Sequence, residues 1–371
     1  MSAKILASKN ISTSQRWSGL DLFRGLAVYA VVLLHADEGV VNAPAGWNLV
    51  LKFSEFAVPF FLAASFWLAI DKLFRSRQRY ALKKRVQRLL VPYLCWSGIY
   101  LVYKSAKYFI DGDVENLNRL FARPSDIIFF GGAAFHLYFI PLLVVGTLSV
   151  KLLSVTQFRK HKQLNWVLLP LSLIIYQLVL NTNNQFDIAS SWAFRPILES
   201  VNLPSSDSFF VHLLSVIAAW TIRCLPYLLT AILITRTNLA RKITKLNPRQ
   251  IIYLCIAFCL INSMGYLFIP SALLEILQGY LAVLTAIAIS RYCQKTPLIN
   301  SLGNTAFGIY LIHLMILEII QITSNRLSFP NLVDPSLFVL FLITTFNFLA
   351  SWFLSVGLMK STKLSKLMFG T

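Results

Sequence analysis

Residues 20–41 read LDLFRGLAVYAVVLLHADEGVV. A helix needs roughly 20 predominantly apolar residues to cross a hydrocarbon core about 30 Å thick, and this stretch has that length and character. It also carries Asp21, Arg24 and His35. Ionisable side chains at membrane depth cost about 2.5–3.5 kcal/mol each on insertion scales, so they face a partner or a cavity rather than lipid. Lys4, Lys9 and Arg16 precede the run, and Ala43-Pro44-Ala45 after it has the form of a leader-cleavage site. A leader's apolar core does not contain an acid, a base and an imidazole. The stretch is therefore read as a retained first transmembrane helix whose charges look inward.

Similar apolar runs fill the rest of the chain, near 50–71, 87–110, 133–155, 164–181, 209–235, 250–269, 271–291, 302–324 and 334–359. Of the 371 residues, 57% are hydrophobic and 13% charged, against about 25% charged in a soluble domain. The basic residues test this map. The N-terminus, the loop Lys72–Arg88, Arg159 to Lys162, Arg236 to Arg249, Arg291 with Lys295, and the tail with Lys360, Lys363 and Lys366 all fall on one side. The other side holds Arg119, Arg123, Arg195 and Arg326. Positive charge gathers in cytoplasmic loops. The sequence thus predicts an all-α polytopic membrane protein of about ten transmembrane helices, with both termini cytoplasmic. Its parts are a cytoplasmic segment 1–19, a single transmembrane domain 20–359 and a basic cytoplasmic tail 360–371, placed in the plasma (inner) membrane. The net charge of +19 serves insertion, and no nucleic-acid partner is expected. The five cysteines lie in or beside apolar spans with no CxxC pair, so they read as packing residues.

In the first span, Arg24 and His35 are eleven residues apart, three helical turns plus about 20°, so they share a face about 16 Å apart along the axis. Asp21 sits one turn before Arg24. The stripe reads equally as an intramembrane ion pair with a packed histidine or as working groups. Arg85 and Arg88, at i and i+3, share a helix face at the cytoplasmic edge. There they read as a topology signal or as forks for phosphate. Glu55, His136, His212, Glu275, His313 with Tyr310, and Glu318 fall toward the outer half of their spans. With His35 they suggest a polar, outward-open cavity suited to proton transfer near neutral pH. The outer segments 111–132 and 182–208 either cap it or are ordinary solvated loops. No HExxH spacing occurs, and no metal is expected.

These residues carry a resemblance. Leu20-Asp21-Leu22-Phe23-Arg24-Gly25-Leu26-Ala27 followed by His35, with ten residues between Arg and His, resembles the first-helix signature of the membrane-bound acyltransferase 3 family. Phe56-Ala57-Val58-Pro59-Phe60-Phe61-Leu62 resembles its second-helix motif. Arg85 and Arg88 before Pro92-Tyr93 resemble its RxxR element. His136-Leu137-Tyr138-Phe139 and Gly308-Ile309-Tyr310-Leu311-Ile312-His313 resemble two later elements, so the likeness runs through the chain in order. Ser65-Phe66 lacks the family's usual glycine, and Tyr138 stands where tryptophan is usual. No added hydrolase-like domain follows the last span, so activity is expected to be complete here or to use a separate partner.

The resemblance implies an integral membrane O-acyltransferase that moves an acyl group, mostly acetyl, from cytoplasmic acyl-coenzyme A to a cell-surface or lipid-linked saccharide. Acetyl-CoA is then the donor, Arg85 and Arg88 hold its phosphates, and His35 and Arg24, with Asp21 positioning Arg24, carry the chemistry. His136, Tyr310, His313 and Glu55 are expected on the acceptor side. The rival reading is a transporter or flippase for a lipid-linked sugar. Intramembrane charge fits it, but the sequence has no inverted repeat and no evident pair of broken helices.

Overall fold

The computed structural model describes residues 17–75, 81–155, 162–181, 209–326 and 334–371. Most of the expected segment 1–19, parts of the loops Lys72–Arg88 and 159–162, and the outer segment 182–208 with Arg195 lie outside the described residues. Among those described there are helices and turns and no strand. The helices are α1 Ser18–Leu34, α2 Trp47–Ser54, α3 Ala57–Arg75, α4 Leu82–Asp111, α5 Val114–Phe121, α6 Pro124–Phe129, α7 Phe139–Val155 and α8 Lys162–Asn181. They continue with α9 Phe209–Arg236, α10 Leu239–Ile243, α11 Pro248–Met264, α12 Ser271–Ile289, α13 Pro297–Arg326, α14 Leu337–Met359 and α15 Thr362–Phe369.

Eight helical stretches are long and apolar enough to cross a membrane: Trp47–Arg75, Phe135–Leu153, Gln163–Asn181, Phe209–Arg236, Pro248–Leu267, Ser271–Ile289, Pro297–Ser324 and Leu337–Met359. They coincide with eight of the ten expected spans. The other two are helical but differ in kind. Helix α1 has 17 residues and stops at Leu34, short of the expected end at 41. Helix α4 has 30 residues, but basic groups at both ends and tyrosines between them dilute its apolar character.

Helix α14 shows how the bundle meets lipid. Phe338, Leu342, Phe346 and Phe353 are exposed, whereas Thr344, Asn347, Ser351 and Ser355 are fully buried. Apolar side chains face outward and small polar ones face the neighbouring helix. Packing and hydrogen bonds hold helices together in this way where lipid removes the hydrophobic drive between them.

Helix α1 lies at the centre, in contact with α2, α3, α12, α13 and α14. Its first turn is tied to the end of α12, where Ser18 Oγ donates to the Cys293 carbonyl at 2.7 Å and the Gly19 amide donates to Ser290 Oγ at 3.0 Å. Centrality explains the charges in α1. Asp21 is 1% exposed and accepts from Arg24 Nη1 at 2.9 Å, so each neutralises the other inside the bundle. The close approach of α13 depends on Gly303, because a Cβ there would lie 2.4 Å from Asp21 Oδ1.

Two segments hold more structure than the sequence displays. Residues 111–129 are exposed or half-buried and carry the short helices α5 and α6. Beyond α5 the chain turns inward, and Phe130, Ala133, Ala134 and Leu137 are buried. Tyr93 Oη, about 16 Å along α4 from its start, donates to the Ile127 carbonyl at 2.6 Å and accepts from the Gly131 amide at 2.9 Å. The expected span 133–155 accordingly opens with a 3-10 turn, Phe135–Tyr138, before α7 begins. The C-terminal residues are also more than a basic tail. Helix α15 packs on α4, buries Phe369, and accepts at the Met368 carbonyl from Trp96 Nε1 at 2.9 Å.

Gly303→Ala should force apart α1 and α13 and cost about 1–3 kcal/mol, the usual range for overpacking. Thermal unfolding of the purified protein reads this. An unchanged midpoint would mean that the α1–α13 approach has slack.

Candidate functional site

The end of α1, the 3-10 turn Phe135–Tyr138 and the middle of α13 converge. His35 caps the C-terminus of α1. Its ring lies 5.3 Å, centroid to centroid, from that of His313 and 5.1 Å from Phe135. The His136 ring lies 5.3 Å from those of His313, Tyr310 and Tyr100. Tyr310 Oη donates to the His136 carbonyl, and Tyr100 Oη donates to the Leu311 carbonyl at 2.9 Å. Four residues expected from three different spans, His35, His136, Tyr310 and His313, therefore form one cluster. His313 and His136 are buried, and aromatic rings enclose them.

The hydrogen bonds fix the tautomers. His313 Nδ1 donates to the Tyr310 carbonyl at 2.7 Å, which leaves Nε2 as the acceptor nitrogen. That Nε2 is buried and has no hydrogen-bond partner among the described residues. His35 Nδ1 donates to Glu38 Oε1 at 2.6 Å. Glu38 is anchored in turn, its carbonyl accepting from Gln321 Nε2. A carboxylate on one imidazole nitrogen orients the ring and stabilises its protonated form, so the opposite nitrogen is set up to take a proton.

Glu38 is the residue that reading the sequence missed. The signal is short, His35-Ala36-Asp37-Glu38, a histidine followed by an acid at i+3. Tyr100 was missed as well; nothing in its surroundings on α4 distinguishes it from the other tyrosines there.

Other expected residues lie apart from the cluster. Arg24 and Asp21 form their own pair toward the start of α1. Glu55 sits at the joint between α2 and α3, 2.7 Å from Lys52 Nζ, so its ion pair is with a lysine and not with a histidine. His212 packs edge-on against Phe130 at 4.9 Å.

Arg85 and Arg88 line a cavity of about 300 Å³ between α3, α4 and α7, with Ser65, Phe66, Leu143 and Thr147 among its walls. Leu143 is seven residues along the chain from His136, a rise of about 10 Å if helical throughout. The cavity thus carries guanidinium groups suited to phosphate, and Leu143 in its wall belongs to α7, the helix that follows the turn bearing His136. Among the described residues no group of three or more His, Cys, Asp or Glu is arranged to hold a metal ion.

A second buried charge centre joins α8, α9 and α12. Arg223 donates to Glu275 Oε1 through Nε at 2.9 Å and Nη2 at 2.6 Å. Tyr227 Oη donates to the same oxygen at 2.9 Å, and Tyr176 Oη to the other. Sequence reading placed Glu275 in the outer polar set but gave Arg223 no part. A lone arginine in the middle of an apolar span was its signal. With the carboxylate held by two tyrosines and a guanidinium, this centre reads as a clamp between helices.

A family profile described as an acyltransferase domain matches residues 17–356. No curated protein and no solved structure matches the chain.

Arg223→Leu should leave Glu275 buried without its cation and destabilise the fold by about 3–5 kcal/mol. The double variant Arg223→Leu/Glu275→Leu should recover much of that loss. Thermal unfolding of the purified variants distinguishes the two, and equal damage in both would mean that Glu275 has further work to do.

Proposed function

This chain belongs to the acyltransferase 3 family, and on that premise we propose that it carries an acyl group, acetyl in the simplest case, from acyl-coenzyme A to a saccharide hydroxyl. It is an acyltransferase built from many membrane-length helices. In the proposed arrangement ten helices cross the plasma (inner) membrane, α1 and α4 among them, and both termini are cytoplasmic. Residues 20–359 form the transmembrane acyltransferase domain, and the acceptor is a cell-surface or lipid-linked glycan.

The observation that carries this reading is the His35–Glu38 pair, 2.6 Å apart, in a chain that also sets Arg85 and Arg88 in the wall of a cavity between α3, α4 and α7. The phosphates of acetyl-CoA bind the two arginines on the cytoplasmic side, and only the thin acyl-pantetheine arm enters the bundle. Nε2 of His35 takes the proton of the acceptor hydroxyl. The oxygen attacks the thioester carbonyl, the C–S bond breaks, and the coenzyme leaves as a thiolate that recovers a proton. Glu38 steadies the imidazolium in between. Arg24, held by Asp21, orients the donor. His136, Tyr310 and His313 line the acceptor side. Glu55, paired with Lys52, has no role in this scheme. Transport of a lipid-linked sugar, the rival suggested by intramembrane charge, is not favoured by the family.

In an acetyl-transfer assay on membranes, His35→Ala should lose activity by about 10²-fold or more, the usual contribution of a positioned general base, and Arg24→Ala should lose activity through a misplaced donor. Normal activity in both, at wild-type insertion, would sink the mechanism. Arg85→Ala/Arg88→Ala should instead raise the donor KM, by roughly tenfold or more per lost charged hydrogen bond. Membrane-impermeant thiol labelling of single cysteines tests the topology. Positions 245 and 363 should label only from the cytoplasm, and position 119 only from outside.

A further inference from the structure

Helix α4 carries a continuous exposed stripe: Lys84, Gln87, Arg88, Val91, Leu94, Gly98, Val102, Ala106 and Phe109. From Val91 to Phe109 it is apolar or small, as a lipid-facing surface is. At its cytoplasmic end it turns basic without leaving the same face. There α15 lies against it and closes the second wall of an open groove of about 550 Å³. Lys84, Gln87, Arg88 and Val91 line one side, and Lys363, Lys366, Leu367 and Gly370 the other. Four cations and no acid therefore face a space whose floor, Val91 and Leu367, is exposed and apolar.

The groove is built into the fold. Arg88 Nε donates to the Gly370 carbonyl at 2.8 Å, and Trp96 Nε1 to that of Met368. Gly370 has φ +69°, and a Cβ there would lie 2.3 Å from the Arg88 carbonyl oxygen. Only glycine lets the chain end approach α4 this closely. The lysines of α15 are thereby held opposite Lys84.

We propose that this groove binds the headgroup of an anionic phospholipid from the cytoplasmic leaflet, its phosphate between Lys84, Lys363 and Lys366 and its acyl chains along Val91 and the apolar stripe of α4. Charge and position select this occupant. A membrane-facing basic pocket at the inner interface suits an anionic headgroup, and the apolar floor continuing into the lipid-facing stripe suits an amphiphile better than a free nucleotide. Arg85, by contrast, lines the separate cavity between α3, α4 and α7. The site rests on membrane placement and does not depend on the identity of the acyl donor.

The test is native mass spectrometry of the full chain, purified in detergent and titrated with dioleoyl phosphatidylglycerol. Dioleoyl phosphatidylcholine is the neutral control, and adenosine 3′,5′-bisphosphate is the nucleotide arm. Phosphatidylglycerol should bind in preference to phosphatidylcholine. Lys84→Gln/Lys363→Gln/Lys366→Gln should weaken it by roughly tenfold or more, since each lysine beside an anionic headgroup contributes a factor of about five. The triple Lys→Arg variant should retain binding, which controls for damage to the fold. Wild-type binding of phosphatidylglycerol by the Gln variant, or equal binding of the two lipids, would overturn the proposal. So would loss of the bisphosphate without loss of lipid. Acetyl transfer that survives in the Gln variant separates failure here from failure of the donor assignment.

Discussion

Every charge buried in this bundle has to be answered by a partner, and that requirement organises the rest of the structure. Desolvation makes an isolated ionised group too costly in an apolar interior. Asp21 and Arg24 meet the requirement within one turn of α1, and Arg223 and Glu275 meet it across two helices with two tyrosines. A helix carrying an acid and a base cannot face lipid, so α1 takes the central position, packed by Gly303 on one side and tied to the end of α12 on the other. Because α1 is central and only 17 residues long, its end falls inside the bundle. His35 is delivered there, beside His313 and the 3-10 turn that carries His136.

The same principle separates structural charge from chemical charge. The Arg223–Glu275 centre is satisfied within the protein. The imidazole cluster is not: the Nδ1 nitrogens of His35 and His313 are committed to Glu38 and to the Tyr310 carbonyl, and His313 Nε2 is buried with no hydrogen-bond partner among the described residues. An orphaned buried acceptor is expensive in a structural site and useful where a substrate hydroxyl has to be met. Near its start, α4 divides its arginines between two environments. Arg85 lines the cavity between α3, α4 and α7, whereas Arg88 borders both that cavity and the groove along the lipid-facing stripe. The i, i+3 spacing alone had put both on one face with one task.

Much of the fold was legible in the sequence, because apolar length and loop charge are direct consequences of the bilayer. Eight expected spans recur as membrane-length helices, and the break between the expected spans 250–269 and 271–291 falls at Pro270, the N-cap of α12. The convergence of His35, His136, Tyr310 and His313 also followed from residue types, aided by the family motifs. Three features were hidden for physical reasons. Glu38 lies past the end of α1, where helical periodicity no longer reports which side chains meet. The segment after α5 looks polar in composition, yet its inward turn is decided by a hydroxyl on a distant helix, Tyr93, binding backbone groups at Ile127 and Gly131. The C-terminal helix reads as a charged tail because its anchors are backbone carbonyls, those of Met368 and Gly370, which sequence does not display.

The central claim is that the donor stays on the side of Arg85 while its acyl group is transferred within the bundle. It is tested most directly in sealed proteoliposomes of uniform orientation, with acetyl-labelled coenzyme A supplied only to that face and the acceptor glycan to the other. The account predicts ester-linked label on the glycan and one equivalent of free coenzyme thiol appearing on the donor side for each ester formed. Thiol appearing on the acceptor side, or label crossing without ester formation, would contradict it.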